Sequence, residues 1–594
     1  MNQIKYIIAV LVSVGIFNSC SGIFLDKKNN NQNIKIASHY HVSETSYGSY
    51  LAARVAHIRQ NYNLAADYYI KSIKLGVKDP ELLSRVYLLL TTEGRIDEAA
   101  KYAQQSIKEG DSSNFVRFVL MSDEAKNQNF DKAIEHINGI KDKSYKNAIS
   151  PLFKAWLLAG KNDKKGALRE LNLLEKDKDL LSFYHMHKGM ILDYFNDTES
   201  AQKEFDKIID DQNLEISFRS LQIIANFYAR NSQVDKAKDI IKQYNNKNSN
   251  TKMFTELLSS IYDINKNKPI PVIDTPQKGL SEAIFNVGVI FRDYQSDIAQ
   301  IFTALSLYLN KDNDVARISM ADLLEKSHRY SEAIKQYEKV SVNSPLYYMA
   351  NLKISAIYLE NKDHKEALQK LKELLSHYPN DYNILFNLGE VSRITDKNKD
   401  AIKYYNLALK KLPDSLKEDW TVYYALGIAY EKSNQWEKAE QSLKKALKIS
   451  KRHPFVLNYL GYIWLENNQN YNEALYMIFD AYRQNPENGH IMDSMGWALY
   501  RMGKYTEALS VLERAAEYLP ANAVVCDHLG DVYWQTGRKS EAKYQWQHAL
   551  SLKEDAELLD KDVIRKKIAE GVNKPTAIIF NESLLIERLK GLKK

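Results

Sequence analysis

The chain is poor in cysteine. Only Cys20 and Cys526 occur in 594 residues, and a disulfide between them is not expected. Cys526 reads as a buried small hydrophobe. Blocks of one charge are missing too. Acidic and basic residues are interspersed and the net charge is +7, small for this length, which argues against nucleic acid as a partner. The tail 588–594 is mildly basic and reads as a solvated terminus. No apolar run is long enough to span a bilayer; the longest, Ile7 to Phe17, has only about eleven residues. Catalytic signatures are also lacking. There is no nucleophile elbow, zinc-protease helix or dinucleotide fingerprint, and Gly160-Lys161 lacks the preceding glycine of a phosphate loop. His39 and His41 form a His-x-His pair without a nearby third ligand, so they read as a solvated segment rather than a metal site. No cofactor, metal or small-molecule substrate is called for, and the chain is not read as an enzyme.

What the chain does have is a beat. Ala65, Ala99, Ala133, Ala167 and Ala201 are each 34 residues apart, and the beat returns at Ala333, Ala367 and Ala401 and again at Ala474, Ala508 and Ala542. A fixed period in the thirties is the length of a two-helix unit plus two turns. The clearest unit runs from Gly489 to Pro520. Its first helix carries Met495-Gly496-Trp497 and Tyr500, a break follows at Gly503-Lys504, and its second helix carries Tyr505, Glu507-Ala508, Leu512 and Ala515. Pro520 closes it, as a residue unable to continue a helix. The small residue of the first helix recurs as Gly389, Gly427, Gly461, Gly496 and Gly530. Glycine inside a helix costs about 1 kcal/mol against alanine, so its recurrence needs a packing reason. A glycine facing an alanine would let two antiparallel helices approach closely.

This pattern resembles the tetratricopeptide repeat (TPR) family. The resemblance implies an all-α fold, a right-handed superhelix of about thirteen helix-turn-helix repeats in two blocks. Ala237 and Ala439 complete the helix-B alanines, and a degenerate helix pair is expected at 281–310. N-terminal units often lack the glycine, with Ala53, Tyr87 and Ala155 in its place. The expected organisation is a signal peptide over 1–19, a flexible tether over 20–45 and an N-terminal block over 46–244. A linker or hinge at 245–280 follows, where Pro269, Pro271 and Pro276 punctuate the chain. A C-terminal block over 281–552 and capping helices with a tail over 553–594 complete it.

The leader sets the expected compartment. Lys5 precedes the short apolar core, and Ser19-Cys20 at its end resembles the bacterial lipoprotein box, although Phe17 replaces the usual leucine. Three readings stay open: lipidation at Cys20, ordinary cleavage nearby giving a soluble periplasmic protein, and an uncleaved anchor. With Ser21 rather than Asp after the cysteine, the lipoprotein resemblance implies the outer membrane, facing the periplasm.

Leu457 to Tyr462, Asp493 to Tyr500 and Asp527 to Asp531 look like the C-terminal repeats of long proteobacterial envelope TPR lipoproteins. Some members of that group are adaptors for periplasmic proteases of the carboxyl-terminal processing class. The resemblance implies a non-catalytic scaffold or adaptor that binds other proteins or extended peptides in its groove. The alternative is a scaffold for an assembly or export complex at the outer membrane. In such a superhelix first helices line the inner groove. Asn458 and Tyr462, Asp493 and Trp497, and Asp527 and Asp531 are pairs four residues apart and so share a face. Tyr500, Arg501 and Trp534 follow one turn on. Two readings remain for Tyr500 and Trp534, groove or packing between repeats, and the acids have plain solvation as their alternative. The cations of a carboxylate-binding clamp are not evident.

Overall fold

The computed structural model describes residues 45–211, 216–247, 252–262, 270–412, 419–552, 559–578, 580–581 and 583. The leader, the candidate lipidation site Cys20, the tether and the His39–His41 pair lie outside them, as does nearly all of the short helix expected around 581–592.

Every regular element among the described residues is helical. The first unit opens with antiparallel pairs: α1 Ser46–Ile58 with α2 Tyr62–Lys74, α3 Pro80–Thr92 with α4 Ile96–Lys108, and α5 Asn114–Lys126 with α6 Phe130–Asn138. After the short α7 Lys143–Ala148 come α8 Ser150–Gly160 with α9 Lys164–Leu171, α10 Leu181–Tyr194 with α11 Thr198–Asp210, and α12 Phe218–Arg230 with α13 Val234–Lys247. A single helix, α14 Lys252–Tyr262, precedes the pair α15 Pro276–Phe291 and α16 Ser296–Leu309. Then come α17 Asp314–Lys326 with α18 Tyr330–Tyr337, and α19 Tyr347–Glu360.

The second unit holds α20 His364–His377 and the pairs α21 Tyr382–Ile394 with α22 Asn398–Lys410 and α23 Thr421–Lys432 with α24 Trp436–Ile449. It continues with α25 Pro454–Glu466 and α26 Tyr471–Gln484, α27 Gly489–Arg501 and α28 Tyr505–Tyr518, and α29 Ala523–Gln535 and α30 Lys539–Ser551. The helix α31 Lys561–Glu570 closes the stack against α30.

The beat has a steric cause. All thirteen helix-B alanines, from Ala65 to Ala542, are 0% exposed. The residue one turn after the alanine does the interlocking. Tyr405, Leu443, Ile478, Leu512 and Trp546 fill the notches left by Gly389, Gly427, Gly461, Gly496 and Gly530. A Cβ on Gly496 or Gly530 would sit 2.4 Å from its neighbour, far inside contact distance. The glycine is therefore set mainly against the bulky residue at alanine plus four, not against the alanine itself. In the second repeat the sizes are exchanged: buried Tyr87 replaces the glycine, and the residue four after Ala99 is the small, buried Ala103.

The tight turn inside each repeat has its own rule. In twelve of the thirteen repeats the chain takes a left-handed conformation five residues before the alanine, from Gln60 and Gly94 to Gly503 and Gly537; before Ala474 it is Asn468 and Asn470 that do so. Most of these positions are not glycine, so the turn is hard to read from sequence.

The chain does not divide where the linker was expected. The two compact units part between Ile357 and Tyr358, inside α19, and not within 245–280. The pair α15–α16 is the reason, because it packs on α3, α5, α8 and α10, the first helices of repeats two to five. Phe302 of α16 lies among Phe115, Phe118 and Phe291, with ring centroids 5.4–6.2 Å apart. Trp156 of α8 packs against Gly279 of α15. Its indole N–H donates to His187 Nδ1 at 2.9 Å, and the Asn286 amide lies 3.0 Å from Nε2. Indole is a donor only, so Nδ1 accepts and the neutral ring carries its proton on Nε2; Asn286 must then turn its Oδ1, rather than its Nδ2, toward Nε2 to accept it. Burial pushes this imidazole pKa down to about 3, so it stays neutral. Charged ties complete the attachment. Arg219 of α12 meets the buried Glu282 of α15 at 2.5 Å, and Arg329 reaches Glu93 at 2.6 Å with both side chains buried.

Candidate functional site

In the first unit the inner faces of repeats two to five are thus covered by the chain's own helices. In the second unit the first helices α25, α27 and α29 carry the residues expected to line a groove. Asparagine caps start two of these helices: Asn488 Oδ1 accepts from the Ile491 N–H, and Asn522 Oδ1 accepts from those of Val524 and Val525. The caps fix where each helix begins, and so which residues face inward.

The structure brings most of the nominated residues together and gives several of them partners. Asp493 is buried and accepts from His528 Nδ1 at 2.9 Å. Trp497 stacks on His528 with centroids 4.1 Å apart and on Tyr500 at 4.9 Å, while its indole N–H donates to Glu466 at 2.6 Å. Arg501 also reaches Glu466, at 3.3 Å, and donates to Asn468 Oδ1 at 2.9 Å. Tyr462 is half-buried; burial first, then the charges of Glu466, Asp493 and Asp527, push its phenol well above the ordinary range. Asn458 is half-buried, and its side-chain oxygen has no hydrogen-bond partner. Tyr500 is 3% exposed.

Asp527 and Asp531 are not plain solvated acids. Both are buried, and Lys567 of α31 bridges them at 2.8–2.9 Å. Asp531 also accepts from the Trp546 indole at 3.0 Å. Burial, only partly offset by Lys567 and reinforced by Asp527, pushes the Asp531 carboxyl up to about 6. For His528, burial alone would favour the neutral ring. The charges of Asp493, Asp527 and Asp531 outweigh it and raise its pKa above the usual imidazole value.

Sequence reasoning missed what lies over this ladder. Beyond α31, residues 571–578 and 580–581 pass the C-terminal ends of α29 and α27 and reach the start of α26. Gly571 takes φ +81° against the face of Trp534, where a Cβ would fall 1.8 Å from Cζ2, so only glycine can pass. Trp534 itself lies tilted 5.7 Å from Trp546 and so is part of the packing under this segment. The Gln535 side-chain amide donates to the carbonyls of Val572 at 3.2 Å and Asn573 at 3.1 Å. The Ile578 N–H donates to the Arg501 carbonyl at 3.0 Å, and the Asn581 N–H donates to Asn472 Oδ1 at 2.8 Å. Ile578 is buried in the core of this unit, with Phe580 packed beside it. His528, Glu466, Gln535 and Lys567 had no distinguishing motif. Their roles come from partners on other helices.

Cys526 is a free, buried thiol whose pKa burial raises to about 11, which makes it inert packing. Among the described residues, no cluster of His, Cys, Asp and Glu could hold a metal ion, and no helix is long and apolar enough to cross a membrane.

Family models match two stretches of the chain. One, described as the TT21 fifth ARM repeats domain, covers residues 349–453, and the other, described as a tetratricopeptide repeat, covers residues 494–550. Among curated proteins, a TPR repeat-containing protein of Pseudomonas aeruginosa is 29% identical over 193 residues, 32% of each chain. The BBSome complex member BBS4 of Bos taurus is 30% identical over 122 residues, 20% of this chain and 22% of that one. The chain therefore spans about a third or less of the length of these curated relatives. Among solved structures, the APC/C hetero-tetramer Cut9–Hcn1 aligns over 89% of this chain and 96% of its own, with 13% identity and a TM-score of 0.36.

Proposed function

Because the chain is a tetratricopeptide-repeat protein, we propose that it is a non-catalytic scaffold whose second unit binds partner proteins through the inner faces of α25, α27 and α29. The observation that carries this reading is the layout of those faces. They set stacked aromatic rings beside buried carboxylates, and the Gln535 amide at the end of α29 already bonds extended backbone. Aromatic rings give apolar contact at low entropic cost, and side-chain amides can bond a peptide backbone whatever its sequence.

The compartment and partner are part of the proposal. The leader with Ser19-Cys20-Ser21 supports an exported protein anchored by lipid at Cys20 to the outer membrane and facing the periplasm. The resemblance to envelope TPR lipoproteins supports a role in bringing a periplasmic protease, or its substrates, to that membrane.

The test is a crosslinked pull-down of the full-length chain from membranes, with Cys20→Ser and Trp497→Ala variants alongside. We expect wild type to recover a periplasmic protease, Trp497→Ala to lose it by at least tenfold with helicity unchanged, and Cys20→Ser to leave the membrane fraction. Recovery of an assembly or export complex without a protease would replace the adaptor role. Recovery unaffected by Trp497→Ala would mean that the groove does not bind the partner.

A further inference from the structure

We propose that Lys567, near the end of α31, and residues 571–578 and 580–581 after it are a displaceable ligand in cis, and that the partner of this site is an extended peptide. Such a peptide would offer a basic side chain to Asp527 and Asp531 and a β-branched apolar side chain to the Ile578 site. The inference rests on the groove-binding reading and names the chemistry of its ligand.

Four hydrogen bonds that hold the segment in place are made by its main chain. Gln535 takes the Val572 and Asn573 carbonyls, the Arg501 carbonyl takes the Ile578 N–H, and Asn472 takes the Asn581 N–H. Any extended peptide on the same path can reproduce them, which is how peptide sites combine general backbone capture with a few specific pockets. Side-chain selectivity is confined to few places. Ile578 is buried, Phe580 is half-buried beside it, and Lys567, four residues before Gly571, fills the gap between the two aspartates. Between these anchors Asn573, Lys574, Thr576 and Ala577 are exposed. A stretch with few buried side chains opens at lower free energy than the helices beneath it. The charge of the site fixes the sign of the ligand. With Lys567 withdrawn, two buried carboxylates would face each other uncompensated, and an incoming cation would be strongly favoured over a neutral or acidic group.

The test uses the full-length chain and a fluorescent peptide of residues 567–581, read by anisotropy. Ile578→Asp combined with Lys567→Gln in the protein removes both anchors and frees their two sites. This variant should bind the peptide at least tenfold more tightly than wild type, and a peptide carrying Lys567→Glu should bind it at least tenfold more weakly. Equal binding by variant and wild type, or no binding by a variant of native helicity, overturns the proposal. Should this double variant lose helicity, hydrogen exchange on wild type decides. The Ile578 amide should exchange at least tenfold faster than the amides of α29, and equal protection would make the segment a fixed part of the fold. If the peptide fails to bind while Trp497-dependent capture of a partner persists, the cis-ligand falls and the scaffold stands. If the peptide binds but no partner is captured, the scaffold falls and the cis-ligand stands.

Discussion

A single imidazole sets the pH response expected of the second unit. His528 faces Asp493 from α27, has Asp527 and Asp531 as neighbours on its own helix, and stacks on Trp497. Its folded pKa is raised above the ordinary value of about 6.5. The folded chain therefore holds this proton more tightly than the unfolded chain does. The resulting stability is fully present below about pH 6.5 and is lost as pH rises through the raised folded value. Asp531, raised to about 6, acts in the same sense at lower pH, so its loss is nearly complete before that of His528 begins. Urea unfolding of wild type should thus show stability of the second unit falling as pH rises above about 6.5. His528→Asn keeps a donor for Asp493 but cannot titrate, so it should flatten that fall. An unchanged slope would show that the proton is not held there. The same residue illustrates the limit of sequence reading. The alanines were legible because one steric requirement recurs thirteen times, mostly at a 34-residue spacing. The His528–Asp493 pair occurs once, between residues 35 apart, and nothing in either residue's neighbours marks it.

Among the elements, α15–α16 was legible as a helix pair but not in its placement. Apolar periodicity and Pro276 indicate its existence, whereas the surface it covers belongs to helices as much as 200 residues earlier. The prolines at 269, 271 and 276 suggest a hinge; the pair that follows them instead binds the first unit together. Its attachment is partly ionic. Glu282 is 1% exposed and depends on Arg219 and on the Asn313 amide at 3.2 Å. Arg219→Ala leaves a buried carboxylate short of its cation and should cost the first unit about 3–5 kcal/mol in denaturant unfolding. Arg219→Met with Glu282→Gln should recover much of that loss, since the buried charge is then gone. If the single variant unfolds like wild type, the pair does not hold α15 to α12. The capping helix α31, Lys561–Glu570, was likewise legible as an element within the capping segment expected over 553–594. Its lysine is not legible as the counter-charge of the groove, because Lys567 lies 36 residues beyond Asp531 and no local pattern links them.

At the level of the whole molecule the two units differ in how they use repeats. The second unit keeps the neighbour-to-neighbour logic of a solenoid, with a cap at its end. The first departs from it, because α15–α16 touches four repeats at once. Hydrogen exchange on the full chain should therefore find α3, α5, α8 and α16 losing protection together, with similar opening free energies. Graded protection along those helices would show that each repeat opens alone.

The filled inner face also bears on synthesis. Phe115 and Phe118 leave the ribosome long before Phe302, and Glu93 precedes its partner Arg329 by 236 residues. At translation rates of about 5–20 residues per second, the inner surface of the early repeats waits on the order of 10–40 s for the helices that cover it. During that interval it is an apolar trough on a nascent chain, open to holding chaperones and to the same trough on a neighbouring polypeptide.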